Sequence, residues 1–180
     1  MYNISRMITG EQCDFISDLY NAYYSKIYKY TLYRVGDHST AEDLVSEVFE
    51  KVLSKYYTYN PNKAKLSTWI FTIVNNTIIN YHKKNQYCKK NQYGSQSVNL
   101  EMVESKYRLD DTIIEQELKE HLLKSIMGLD DRQRNVIALK FGANLTNREI
   151  AQIMDLTESN VGTILYRSLK RLKDILKQEV

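Results

Sequence analysis

Apolar residues recur along this chain at spacings of three and four, the period of an amphipathic helix, in one segment after another. Phe15, Ile16, Leu19, Tyr23, Ile27, Tyr30 and Leu32 predict a helix over 12–35. Leu44, Val45, Val48, Phe49 and Val52 predict a second, opened by a capping box of Ser39 with Glu42. Trp69, Ile70, Ile73, Val74 and Thr77 form the buried side of a third over 66–84, capped by Ser67 or Thr68. Periodicity lapses over 85–110, a polar stretch with the composition of a flexible linker. It returns at Ile113, Ile114, Leu118, Leu122, Ile126 and Met127, and Asp130 with Gln133 opens a further helix. One Pro, six Gly and few alternating runs complete the picture of an all-α protein. The expected organisation is two small helical domains, 10–85 and 112–177, joined by a linker at 86–111.

The densest local pattern lies near the carboxyl end. Thr146 with Glu149 is a capping box, and Ile150, Ala151, Ile153 and Met154 give the helix it opens one apolar face. Asp155 stands where the chain must turn, and Asp tolerates a left-handed conformation. Thr157 caps a second helix, whose Val161, Ile164, Leu165, Leu169 and Leu172 are expected to face inward. Its other face carries Ser159, Asn160, Thr163, Tyr166, Arg167, Lys170 and Arg171. This is the layout of a helix-turn-helix, with a supporting helix and a second that offers polar and basic groups to a major groove. A plain helical hairpin with a solvated face would not need the ordered run of cap, small residue, turn and cap. Gly162 within the second helix costs about 1 kcal/mol relative to Ala.

Charge adds a second line of argument through its distribution, since the formal net charge is only +3. Residues 41–50 carry four acids (Glu42, Asp43, Glu47, Glu50) and no base. Residues 51–100 carry eight lysines and no acid. Such segregation predicts a polyanion-binding surface mid-chain. Within it, Asn76 and Asn80 lie one helical turn apart, followed by Lys83 and Lys84. Amides that read base edges, lysines that hold phosphates and nearby unpaired aromatics suit single-stranded nucleic acid. Each residue alone fits an ordinary solvated helix; the cluster does not.

Other chemistries find little support. Cys13 and Cys88 are too few and too far apart for a disulfide framework or metal site, and His38, His82 and His121 lack ligand spacing. No metal, cofactor, activated nucleophile or phosphate-cradling glycine loop is expected, which argues against an enzyme. No signal peptide or run of about 18–20 apolar residues is present, so a reducing cytoplasm is the expected location.

Taken in order, these motifs resemble the group IV, or extracytoplasmic-function, sigma factors of bacterial RNA polymerase over nearly the whole chain. Ala41-Glu42-Asp43-Leu44-Val45-Ser46-Glu47-Val48-Phe49 is similar to the family's core-binding motif in its σ2 domain. Trp69, Ile73, Asn76, Asn80 and Lys83 resemble the segment that melts and reads the −10 element. Leu129, Arg134 and Val136, then Glu149-Ile150-Ala151 and Val161 to Arg167, resemble the σ4 domain that reads the −35 element.

The resemblance implies roles. Glu42, Asp43, Leu44, Ser46, Glu47, Phe49 and Glu50 would dock on the β′ clamp helices of the polymerase core, with the β flap as a further contact. Tyr56, Tyr59, Asn60, Lys63, Lys65, Trp69, Asn76, Asn80, Lys83 and Lys84 would hold a flipped −10 base and its strand. Arg148, Glu158, Ser159, Asn160, Thr163, Tyr166, Arg167, Lys170 and Arg171 would meet −35 duplex. It further implies an anti-sigma factor as partner, often membrane-anchored in the family, and a monomer when free. Asp155 stands where members usually have Gly, and Asn80 and Lys83 where many have Asp and Arg; these departures bear on promoter preference. A dimeric operator-binding regulator would explain 145–172 alone, leaving the acidic helix and the lysine-only middle without a role.

Overall fold

The structure, a computed structural model, describes residues 10–91 and 113–178, and all its regular elements are helical. The first three are α1 (Gly10–Val35), α2 (His38–Lys55) and α3 (Leu66–Asn91), with a 3-10 turn over Tyr56–Thr58. Then come α4 (Ile113–Met127), α5 (Asp131–Ile137), a π-helical stretch over Ala138–Gly142, α6 (Asn147–Met154) and α7 (Glu158–Gln178). Most of the expected linker lies outside the described residues, and residues 86–91 of it continue α3 as helix.

α1, α2 and α3 close around Ile27, Tyr30, Val48, Val52, Ile70, Phe71, Val74 and Ile78, all fully buried. Burial of side chains this size contributes roughly 1.5–3 kcal/mol each relative to exposure, before entropy is counted. The same core continues through Val136, Leu139, Leu145, Ile150 and Val161 of the carboxyl-terminal unit. The two units therefore share one interior: α1 packs on the π-helical stretch, and α3 on α6.

Gly142 permits that approach. A Cβ there would fall 2.8 Å from the Tyr30 backbone nitrogen and 2.9 Å from its Cα, closer than a side chain can come. Polar groups join the seam as well. The Tyr30 hydroxyl lies 3.0 Å from Asn75 Oδ1 and 2.9 Å from Asn135 Oδ1, while Asn135 Nδ2 donates to Asn75 Oδ1 at 3.0 Å. Arg34, only 1% exposed, donates to the Asp131 carbonyl and pairs with its carboxylate at 2.8 Å.

Several helix starts and faces differ from expectation. The cap of α2 is Asp37, whose carboxylate accepts from Thr40 N at 2.7 Å, rather than Ser39. Gly36 at φ 76 turns the chain to present that carboxylate, a charged acceptor that also suits the positive end of the helix. α3 begins at Leu66, ahead of both Ser67 and Thr68. Ser67 Oγ instead donates to Glu149, across the seam. On α7 the inward stripe runs through the buried Val161 and Ser168 and the half-buried Leu165 and Leu172, which leaves Leu169 about 100° away and 43% exposed.

Candidate nucleic-acid interface

The helix-turn-helix forms as its residues dictate. Thr146 Oγ1 accepts from Glu149 N, and the Glu149 carboxylate accepts from Thr146 N at 2.9 Å, closing the capping box. Asp155 takes the left-handed conformation at φ 53 and ψ 54, ending α6. Thr157 Oγ1 then accepts from Asn160 N at the start of α7. Glu158, Ser159, Asn160, Thr163, Tyr166, Arg167, Lys170 and Arg171 are all exposed, as is Arg148 on α6. Thr163 Oγ1 spends its proton on the Ser159 carbonyl at 3.1 Å, so its methyl is the freer half. Gly162 sits close to nothing but Asn147 Nδ2, at 4.0 Å from where a Cβ would stand.

On α3, Asn76, Asn80, Lys83 and Lys84 are exposed. The sequence led us to expect unpaired aromatics before α3, but they pack on one another and on Trp69. Tyr59 and Tyr56 lie 5.5 and 6.3 Å from Trp69 between ring centroids, and Phe15 backs Tyr56 at 4.7 Å. A 3-10 turn places residues i and i+3 on one side, so Tyr56 and Tyr59 turn inward together. Tyr57 between them is 87% exposed, and sequence reasoning passed over it. Its signal was the Tyr-Tyr-Thr-Tyr spacing itself. Asn60 Oδ1 accepts from Asn62 N at 2.9 Å and shapes the loop that carries the exposed Lys63 and Lys65.

The acidic helix divides in two. Glu42, Asp43, Ser46, Glu47 and Glu50 are exposed on α2. Leu44 and Phe49, expected at the docking surface, are 4% and 9% exposed and pack into the core. Glu47 is already paired with Lys51, which also reaches Thr77 Oγ1 at 3.3 Å.

The two helical units meet at Glu149. Its carboxylate lies 3.5 Å from Lys65 Nζ and 3.2 Å from Ser67 Oγ. Burial alone would raise its pKa; hydrogen bonds from Thr146 and Ser67, with the Lys65 charge, outweigh that and hold it below the usual glutamate range. A cleft beside it is lined by Ala64, Lys65, Thr146, Arg148, Glu149 and Gln152. Arg148 and Lys65, expected on different DNA elements, thus line one cleft. At the other end of the seam, burial and then the Arg34 and Arg134 charges lower the His82 pKa. Among the described residues no group of three or more His, Cys, Asp or Glu side chains is arranged to hold a metal ion.

Among the described residues an acidic helix face, an amide- and lysine-bearing helix and a helix-turn-helix follow one another in the order of the sigma factors that the sequence resembles. Family models agree: Sigma-70 region 2 matches residues 19–87, and Sigma-70 region 4 matches residues 126–174. The RNA polymerase sigma factor YlaC of Bacillus subtilis is 30% identical over 161 residues, covering 89% of this chain and 91% of YlaC. The ECF RNA polymerase sigma factor BldN of Streptomyces coelicolor is 28% identical over 98% of this chain, which spans 65% of BldN's length. In fold, the sigma factor RpoE of Bartonella quintana, solved with the anti-sigma factor NepR, aligns with a TM-score of 0.74. That alignment is 21% identical and covers 91% of this chain and 97% of RpoE. The chain belongs to the sigma-70 family of RNA polymerase sigma factors, in its ECF group.

Proposed function

We propose that this chain binds core RNA polymerase and directs it to promoters, reading the −35 element with α7 and opening the −10 element with the loop 59–65 and α3. The observation that carries the reading is the presence of both family regions in one chain, each with its polar reader face exposed. Lys63, Lys65, Lys83 and Lys84 serve as phosphate contacts, while Asn76 and Asn80 offer amides to an unstacked base. Arg167, Lys170 and Arg171 position α7 on duplex, and Ser159, Asn160 and Thr163 lie nearer base edges. Glu42, Asp43, Glu47 and Glu50 form the docking face for the clamp helices of the core. The chain itself performs no covalent chemistry in this scheme. An anti-sigma factor fits as a regulator, since the structural neighbours RpoE and CnrH were solved with NepR and with the cytosolic domain of CnrY. No described helix is long and apolar enough to cross a membrane, and a cytoplasmic site of action suits the role.

The two promoter elements are named for positions about 25 base pairs apart, or about 85 Å of duplex at 3.4 Å per base pair. In the structure, Lys65 of the −10 unit and Glu149 of the −35 unit are 3.5 Å apart. Promoter engagement therefore requires the seam between α1–α3 and α5–α6 to open. Selection of genomic fragments by reconstituted holoenzyme tests the function. Recovered fragments should share two sequence blocks at a fixed spacing; a single palindromic site, bound without core, would instead identify an operator-binding regulator.

A further inference from the structure

Tyr20, Tyr24 and Tyr28 recur every four residues on α1 and form a ladder of rings along its surface. Tyr20 and Tyr24 stack at 4.8 Å between centroids, and Tyr24 and Tyr28 at 6.1 Å with planes 11° apart. Phe49 of α2 supports the first two from beneath, at 5.0 and 6.4 Å. The Tyr28 hydroxyl shares a hydrogen bond of 2.6 Å with His38 Nδ1, which fixes the far end. The ladder lies at the edge of the core, with Tyr20 46% exposed and Tyr24 and Tyr28 packed against the core on one side and half-open on the other.

Charge around these rings sets them apart from the aromatics near α3. Burial raises the Tyr24 and Tyr28 pKa values, and Glu42 lies near enough to both to add to the effect. The phenols therefore stay neutral, beside a carboxylate. Tyr57, by contrast, projects from the segment that holds only lysines. Rings beside lysine suit nucleic acid, whose phosphates a carboxylate would repel. Rings beside a carboxylate suit a protein cation, and above all guanidinium, which stacks on aromatic faces while pairing with carboxylates.

The geometry points to Tyr20, Tyr24 and Tyr28 as an aromatic extension of the core-docking face, receiving arginine side chains of a polymerase helix that also pairs with the α2 carboxylates. This inference rests on the proposed core-binding role of α2 and adds a second helix to it. Continuity supports the choice of occupant, because Glu42 belongs both to the α2 face and to the ladder's surroundings.

The test measures affinity of the full chain for core polymerase by fluorescence anisotropy. The double variant Tyr20→Leu/Tyr24→Leu keeps apolar bulk and removes the π faces; about tenfold weaker binding is expected from two such contacts. Tyr20→Phe/Tyr24→Phe keeps the rings and should bind within twofold of wild type. If the leucine pair melts early, Tyr20→Ser at the most exposed ring replaces it, with a smaller loss expected. Asp43→Lys/Glu47→Lys separates the two ideas. Wild-type affinity of the leucine pair beside lost affinity of the charge reversal overturns the ladder and leaves the core-binding reading standing. Wild-type affinity of both overturns both. Equal losses for the phenylalanine and leucine pairs also overturn the ladder, because the hydroxyls and not the rings would then be recognised.

Discussion

The Tyr30 hydroxyl sits 2.9 Å from Asn135 Oδ1, joining residues 105 positions apart and on opposite sides of the seam between the two units. Asn75 completes the set, and burial of the phenol keeps it neutral and raises its pKa. Tyr30→Phe would remove one hydroxyl and leave Asn135 Nδ2 still donating to Asn75. The expected loss is about 1–2 kcal/mol in denaturant unfolding, typical of a buried hydrogen bond with a partner left behind. A loss below about 0.3 kcal/mol would mean that the network contributes nothing net to closure.

Gly142→Ala probes the same seam sterically. The new methyl would meet the Tyr30 backbone, which cannot step aside as a side chain can. Dyes placed at residues 84 and 177 should report a longer mean distance in free Gly142→Ala than in wild type. Core polymerase and promoter DNA should lengthen the wild-type distance further. An unchanged distance in the variant would show that α1 and the π-helical stretch do not control opening.

Much of this was legible in the sequence, and the reasons are local. The Thr146–Glu149 box, the left-handed Asp155 and the Thr157 cap form as read because each needs only its own few neighbours. The face of α3 with Asn76 and Asn80 follows from helical period alone. What sequence did not disclose was long-range. Nothing local marks Arg34 as a buried residue paired with Asp131, or Glu149 as a bridge to Lys65 and Ser67. Local rules also misplaced the α2 cap on Ser39, because the helix starts earlier, just after the turn at Gly36, where the Asp37 carboxylate accepts from Thr40 N.

Closure should weaken as pH falls. His82 and Glu149 both have pKa values lowered in the folded chain, so each contributes stability above its unfolded pKa that is lost on acidification. The histidine part begins below about pH 6.5 and the glutamate part below about pH 4.3, the unperturbed values. Dye-pair distance against pH should therefore rise in two stages, and His82→Gln should abolish the first. Retention of the first stage in that variant would assign it to another group.

Asn80→Ala separates base capture from assembly. Asn80 is exposed on α3, so its loss should leave the melting temperature and core binding unchanged. Promoter opening, followed by permanganate reactivity of −10 thymines, should slow about tenfold or more, the scale of one lost base contact at 1–3 kcal/mol. A template with a pre-melted −10 bubble should restore most activity. Loss of core binding together with opening would make the residue structural.

Run-off transcription shows whether this chain directs core polymerase to promoters. Core polymerase is mixed with this chain on linear promoter fragments recovered by holoenzyme selection, and RNA of defined length is measured. Transcripts should appear only when core and chain are both present, reduced by Asn80→Ala and rescued by the bubble. Contradiction would be core that remains silent with the chain present, while the chain alone binds the same fragments tightly.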